Sequence, residues 1–293
     1  MIIGGDRLVV IENIKKRISK GELNAKVEEG DPRLSREEEK EITDAYVRNR
    51  KSHLYRLKRF FACLCANIGA HFINRDTEIV GDVDPRVLEK GFIITSNHFS
   101  PFENTVIRRF VRKKGKKNLC VVSQVSNFAM KGFVGFLMNY ADTIPLSSNL
   151  HYFTHELTDI LDEKLSNGEA VLIYPEQEMW FNYRKPRPHK EGAYHFASRL
   201  NSPIISCFVE IINKGELDTI DFYKVKYRLH ILGVLYPDEN LSLQENRKML
   251  CGRDFELKKG AYERIYKKKL EYKFESSDIG GWIDYGWVTD YEG

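Results

Sequence analysis

The sequence has no apolar run long enough to cross a bilayer: about 18 consecutive apolar residues are needed, and the longest near the N-terminus, 60–66, falls well short. The opening Met-Ile-Ile-Gly-Gly-Asp-Arg-Leu lacks the basic start, long apolar stretch and small-residue cleavage site of a secretory signal, which predicts a cytoplasmic protein. The five cysteines, Cys63, Cys65, Cys120, Cys207 and Cys251, are odd in number and form no Cys-x-x-Cys pair. Nothing therefore suggests a zinc knuckle or dithiol motif, and free thiols are expected. Neither sign of charge dominates, since the formal charge is +4 and the pI about 8.6. That is too mild to imply a nucleic-acid partner, although local basic clusters can still meet an anionic lipid surface.

What is present is a globular composition, with 42% apolar and 30% charged residues in a 293-residue chain. Disordered, collagen-like and low-complexity classes are excluded, and the length allows two domains or one large domain with extensions. Residues 8–20 carry apolar positions at helical spacing and predict a short helix, followed by a polar linker with Gly30, Asp31 and Pro32 as breakers. Ser35-Arg-Glu-Glu-Glu predicts a capped helix start. In the stretch that runs on to about Phe72, Leu54, Leu57, Phe61, Leu64, Ile68 and Phe72 recur at steps of three and four. Arg48, Arg50, Lys51, Arg56, Lys58 and Arg59 crowd its beginning. Such a basic amphipathic helix either packs its apolar side on the protein core with a solvated basic side, or lies in a lipid headgroup layer.

After Asn74 the pattern changes to short apolar runs at 91–95, 119–123, 170–174, 203–211 and 227–235, separated by helix-like segments at 104–111, 152–165 and 192–200. This alternation predicts an α/β fold with a central, mostly parallel sheet flanked by helices, an N-terminal helical extension and a helical C-terminal tail. The predicted division is 1–74 for the basic amphipathic extension, 75–236 for the α/β core, and 237–293 for a Lys-rich tail with a solvated Lys267-Lys268-Lys269 face and an aromatic, Gly-rich end.

Candidate chemistry sits at the ends of strands, where α/β sheets collect function. The first run leads directly into Asn97-His98-Phe99-Ser100-Pro101-Phe102-Glu103. A turn set by Pro101 folds the Glu103 carboxylate back to hold one imidazole nitrogen in its N–H form, leaving the other to take a proton. Without a serine or cysteine nucleophile, this pair suits direct transfer to a hydroxyl of the substrate. The plainer reading is a histidine at the start of the next helix, with Glu103 favouring the helix dipole. The 170–174 run leads into Pro175-Glu176 and a loop carrying Arg184, Lys185, Arg187 and Lys190, where Pro186 and Pro188 oppose a helix. Its cations are candidates to grip phosphate, or form a solvated basic loop. His151 and His155, four apart, lack the intervening Glu of a His-Glu-x-x-His zinc site, and no metal is expected.

Asn97-His98-x-x-x-x-Glu103 resembles the His-x-x-x-x-Asp box of the glycerolipid (lysophosphatidate) acyltransferases, with Glu in place of Asp. Tyr174-Pro175-Glu176 is similar to that family's Phe-Pro-Glu-Gly box. Met130 to Phe136, Thr143 to Leu146, Lys190-Glu191-Gly192-Ala193 and Ser202-Pro203-Ile204-Ile205 fall in the family's order over roughly 75–235. The chain departs from the pattern at Ser147, Ser148 and Asn149, where the family has a phosphate-associated arginine, and at Gln177, Glu178 and Met179, where it has Gly-Thr-Arg. Either Arg184, Lys185 or Arg187 replaces the missing grip, or the acceptor is not a simple lysophosphatidate.

The resemblance implies acyl transfer from an acyl-CoA or acyl carrier protein thioester, as co-substrate and with no resident cofactor, to a hydroxyl of a lysophosphatidate-like glycerolipid. His98 and Glu103 are then catalytic. Asn97, Glu176, Arg184, Lys185, Arg187 and Lys190 are candidates for substrate binding, and Phe99, Phe102, Met130, Phe133, Phe136 and Leu137 for an acyl groove. The expected location is the inner face of the cell membrane, held peripherally by the basic helix. The alternative is a catalytically degenerate relative that binds a lipid or thioester without turning it over.

Overall fold

The computed structural model describes residues 6–285 except Asp31 and Lys117, so the end of the aromatic, Gly-rich segment expected at the C-terminus, 286–293, lies outside the described residues. Its centre is a seven-stranded sheet: β1 (Glu78–Val80), β2 (Phe92–Thr95), β3 (Leu119–Gln124), β4 (Thr143–Leu146), β5 (Ala170–Ile173), β6 (Ile204–Thr219) and β7 (Phe222–Leu235). The order across the sheet is β1-β7-β6-β2-β5-β3-β4. Every neighbouring pair is parallel except β6 with β7.

The central strands read Phe-Ile-Ile-Thr and Ala-Val-Leu-Ile and are buried throughout, because helices cover both faces of a parallel sheet and leave no side that rewards alternation. The flanking helices are α1 (Arg7–Ser19), α2 (Arg36–Asn49), α3 (His53–Ile73), α4 (Asn104–Lys113), α5 (Gly132–Tyr140), α6 (Leu157–Ser166), α7 (Gly192–Arg199) and α8 (Leu243–Tyr266). The predicted α/β class is the observed one.

Local chemistry sets the boundaries. Ser35 and Glu38 close a reciprocal capping box at the start of α2. The helix expected to run on toward Phe72 breaks after Asn49, because the Ser52 hydroxyl accepts from Tyr55 N and starts α3 afresh. β4 holds Pro145 within a strand, which is tolerated because β4 lies at the sheet edge. The polar stretch 212–226 hid the outer half of a long β6–β7 hairpin. Most of that half is exposed; Phe222 anchors it, buried in one cluster with the apolar side chains of α1, Trp180, Tyr183 and Ile279. The Lys267-Lys268-Lys269 run is not a helix face: α8 ends at Tyr266, and Lys267 turns left-handed at φ +56°.

The apolar side of α3 differs from one of the two alternatives. Its small residues, Ala62 and Ala70, face the protein and are buried, whereas Leu54, Leu57, Phe61, Leu64, Ile68 and Phe72 are exposed. Close approach of α3 to α4 and α5 is therefore made by residues too small to have advertised themselves as a core face. Among the described residues no helix is long and apolar enough to cross a membrane.

Behind the end of β2, α8 is fixed to the sheet by buried polar groups. Lys258 Nζ donates to both Asp254 oxygens at 2.6 and 2.7 Å and to Thr95 Oγ1 at 3.0 Å. Asp254 also accepts from the Ser206 hydroxyl and from Tyr194 Oη, each at 2.5 Å. The Tyr194 hydroxyl in turn accepts from His189 Nδ1 at 2.7 Å. Burial, and then the charge of Lys258, push His189 down to about 3, so it is neutral in the folded protein. Burial opposes the Asp254 charge, yet Lys258 holds its carboxyl below the usual carboxylate range.

Unfolded histidine gains its proton near pH 6.5, so His189 contributes stability that is present above that pH and is lost as pH falls toward 3. The slope reaches at most about 1.4 kcal/mol per pH unit. Denaturant unfolding between pH 7 and pH 4 should show this slope, and His189→Asn should flatten it.

Candidate active site

β2 delivers the chain to the site, and paired contacts fix the turn that follows. Asn97 Oδ1 accepts from Val209 N at 2.8 Å and its Nδ2 donates to Val209 O at 3.0 Å, tying the turn to β6. The carbonyls of His98 and Phe99 accept from Trp180 N at 3.1 Å and Asn182 N at 2.9 Å, and Phe99 is fully buried. Ser100 N donates to Glu103 Oε2 at 2.7 Å, while Glu103 Oε1 is bonded to His98 Nδ1. A carboxylate accepts, so Nδ1 carries the proton and Nε2 is the basic nitrogen of the neutral ring.

The Glu103 carboxylate is 1% exposed and the His98 side chain 20% exposed. The Tyr174 ring stacks on the imidazole with centroids 4.1 Å apart and planes 10° from parallel. Burial, and then the Glu103 charge, hold the Tyr174 phenol well above its ordinary value, so it stays neutral beside the pair.

His98 opens onto a cavity of about 590 Å³. Its walls include Ala66, Gly69 and Ala70 of α3, Phe133 and Leu137 of α5, and Val121 of β3. Phe102, Met130, Phe133 and Leu137 of the expected groove line it; Phe99 and Phe136 do not, the first lying in the core and the second packing on Tyr140. The contribution of α3 and of Lys26 and Glu28, on the segment after α1, was not visible in the sequence. That segment crosses the site because Asn24 Nδ2 donates to Pro188 O at 2.7 Å and Trp180 Nε1 donates to Ala25 O at 2.9 Å.

The structure separates the residues proposed for substrate binding. Glu176 and Arg187 form a buried ion pair, with Arg187 Nη2 and Nε donating to Glu176 Oε2 at 2.9 and 3.1 Å. Arg187 has no solvent exposure, lies over the Trp180 ring at 4.7 Å and also bonds the carbonyls of His98 and Glu178. Burial pulls its pKa below the ordinary guanidinium value, with Glu176 opposing. His98 N donates to Glu176 Oε2 at 3.2 Å, so the pair supports the backbone of the histidine.

Lys185 is buried on Asp278 at 2.7 Å, and Arg184 donates to Ser277 O and Asn213 Oδ1, both at 2.9 Å. Asn97 is buried on β6. Neither Arg184, Lys185, Arg187 nor Asn97 lines the cavity; of these candidates only Lys190 does. The loop's other cations hold the loop and the C-terminal segment together, which is why a basic run in the sequence overstated the local phosphate-binding capacity. Among the described residues no group of three or more His, Cys, Asp or Glu is placed to hold a metal, and the His151 and His155 rings stack on each other at 4.9 Å.

A family model described as Acyltransferase matches residues 77–210, the segment that carries β1 through the first part of β6 and both catalytic candidates. This segment belongs to the acyltransferase family. The 1-acyl-sn-glycerophosphate (LPA) acyltransferase PlsC from Thermotoga maritima is similar in structure, with a TM-score of 0.48 and 16% identity, over 80% of this chain and 95% of that one. No curated protein matches the sequence. The acyltransferase domain thus supplies His98, Glu103 and Glu176, while α3 and the segment after α1 complete the cavity from outside it.

Arg187→Met should cost about 3–5 kcal/mol of stability, because it leaves Glu176 buried without its cation. Raising the substrate concentration should not restore the lost activity. A thermal melt left in place with only KM raised would instead make Arg187 a substrate ligand.

Proposed function

We propose that this acyltransferase moves a fatty acyl group from an acyl-CoA or acyl carrier protein thioester to a hydroxyl of a lysoglycerolipid, with His98 as general base. The observation that carries this reading is the His98–Glu103 pair, fixed by a bonded turn at the opening of a largely apolar cavity large enough for a lipid chain. The acceptor O–H gives its proton to His98 Nε2 as its oxygen attacks the thioester carbonyl. The C–S bond then breaks, and the thiolate leaves as a thiol with the proton returned from the imidazolium. Glu103 keeps the ring in the required tautomer and compensates the imidazolium charge while it exists. No acyl-enzyme is needed. General-base assistance of this kind contributes roughly 10²- to 10⁴-fold, with positioning supplying more.

A lipid acceptor reaches the cavity from a surface, and α3 supports a peripheral docking mode. Its exposed Leu57, Phe61, Leu64, Ile68 and Phe72 stand on the same helix whose small residues line the cavity. Arg56 is exposed near its start, Lys51 is exposed although it reaches Glu163 at 3.6 Å, and Arg50 and Arg59 are paired with Glu163 and Asp142. We infer that this face rests on an anionic lipid layer, which for a cytoplasmic chain is the inner face of the cell membrane.

His98→Ala should lower turnover by about 10²-fold or more while leaving thioester affinity nearly unchanged. A wild type that binds thioester and lysolipid without any product would favour the binding-only relative. Sedimentation with anionic vesicles should be weakened by replacing Leu57, Phe61 and Phe72 together with Ser, and partly weakened by high salt. Absence of vesicle binding at every salt concentration counts against docking through α3.

A further inference from the structure

α4 buries Val106, Ile107, Phe110 and Val111 against the sheet, and Arg108 is buried among them at 4% exposed. A guanidinium carries five N–H donors. Arg108 uses one of them, from Nη2 to Ala141 O at 3.2 Å. Among the described residues its buried Nε has no hydrogen-bond partner, and no carboxylate stands within ion-pair distance of the group. Arg187, also buried, instead directs its donors at Glu176 and at two carbonyls. A buried donor left without an acceptor is costly and rare, and this one stands in the lining of the cavity.

Tyr174 lines the same cavity, and the sheet brings the two together. Ala141 precedes Asp142, whose carbonyl accepts from Val121 N at 2.9 Å. Val121 pairs with Leu172, two residues before Tyr174, and all three lie on the sheet face that α4 covers. Long side chains on a helix lean toward its N-terminus, here toward the turn that holds Glu103. Tyr174 stacks on His98, and no protein group donates to its hydroxyl oxygen.

The Arg108 charge acts on the Tyr174 phenol, as that of Glu103 does, and on the Cys63 thiol, as that of Asp142 does. The guanidinium is therefore within electrostatic reach of two carboxylates and bonded to neither. What it lacks is an acceptor oxygen rather than a third carboxylate, which Glu103 and Asp142 would repel. A hydroxyl meets both needs of this wall, because its oxygen accepts from Arg108 and its hydrogen is donated to Tyr174 Oη. With Tyr174 lying on His98, that hydroxyl belongs near the thioester end of an acyl chain and not at its tail. Resting on the acyl-transfer reading above, we propose that the cavity selects an acyl donor hydroxylated close to its carbonyl, a 3-hydroxyacyl thioester, with Arg108 and Tyr174 as the residues that recognise the hydroxyl.

A competition between donors tests this with the full chain. 3-Hydroxyhexadecanoyl, 16-hydroxyhexadecanoyl and unsubstituted hexadecanoyl thioesters are supplied in equal amounts in one reaction, as CoA derivatives and separately as acyl carrier protein derivatives. Lysophosphatidate and 1-monoacylglycerol are both present as acceptors, and mass spectrometry with chain fragmentation identifies the acyl group in each product. Competition in one vessel reads the ratio of kcat/KM values, whatever fraction of the protein is folded. The 3-hydroxyacyl group should be favoured about 10-fold or more over each of the others, and the ratio should fall to about 1 in Arg108→Leu. Tyr174→Phe, which removes a single oxygen, should lower the ratio in the same direction and carries the test if Arg108→Leu does not fold. A wild type without preference for the 3-hydroxyacyl group, or a preference that neither variant moves, overturns this inference and leaves the acyl-transfer reading standing. No product from any donor with either acceptor removes the acyl-transfer reading, and this inference with it.

Discussion

A carboxylate has two oxygens, and Glu103 gives one to the His98 ring and the other to the backbone N–H of Ser100 inside the turn that separates them. The same side chain therefore sets the shape of the turn and the tautomer of the imidazole. Two other contacts depend on that shape. Tyr174, at the end of β5, stacks on the ring only where the turn presents it, and the Glu176–Arg187 pair reaches the backbone N–H and C=O of His98 from the neighbouring loop. A buried ion pair is a costly way to hold a loop, because both ions give up their hydration. Here the cost secures the His98 backbone from two sides.

The second constraint is the division of labour along α3. A helix that turned its large apolar side chains inward would have filled the space that is now the cavity. Instead Ala62, Ala66, Gly69 and Ala70 face inward, leaving room beneath, and the large side chains meet the outside. One helix is thus both a wall of the apolar cavity and an apolar outer surface.

The sequence made the α/β class legible because the β2 and β5 segments are uninterrupted apolar runs ended by turn residues, and the His98–Glu103 pair legible because both residues lie within one tight turn. It was silent where partners are far apart in the chain. Arg187 and Lys185 read as a phosphate grip, but their carboxylates, Glu176 and Asp278, are brought to them only by the fold. Lys26 and Glu28 sit in a polar linker that no periodicity marks, and their place at the cavity follows from the Asn24 and Ala25 contacts to the 175–188 loop. The outer half of the β6–β7 hairpin was missed because its side chains are largely polar. Residues 213–220 are exposed, and the anchor of this half is Phe222, buried in one cluster with α1, some two hundred residues earlier.

The proposed proton transfer requires that His98 carry its proton on Nδ1 and leave Nε2 open. Nitrogen-15 NMR of the imidazole in the neutral form of the folded protein reads this directly, with Glu103→Gln as the reference that identifies the signal. The expected result is a protonated Nδ1, bonded to Glu103, and an unprotonated Nε2 able to receive the acceptor's proton. A ring protonated at Nε2, with Nδ1 unprotonated, would contradict it.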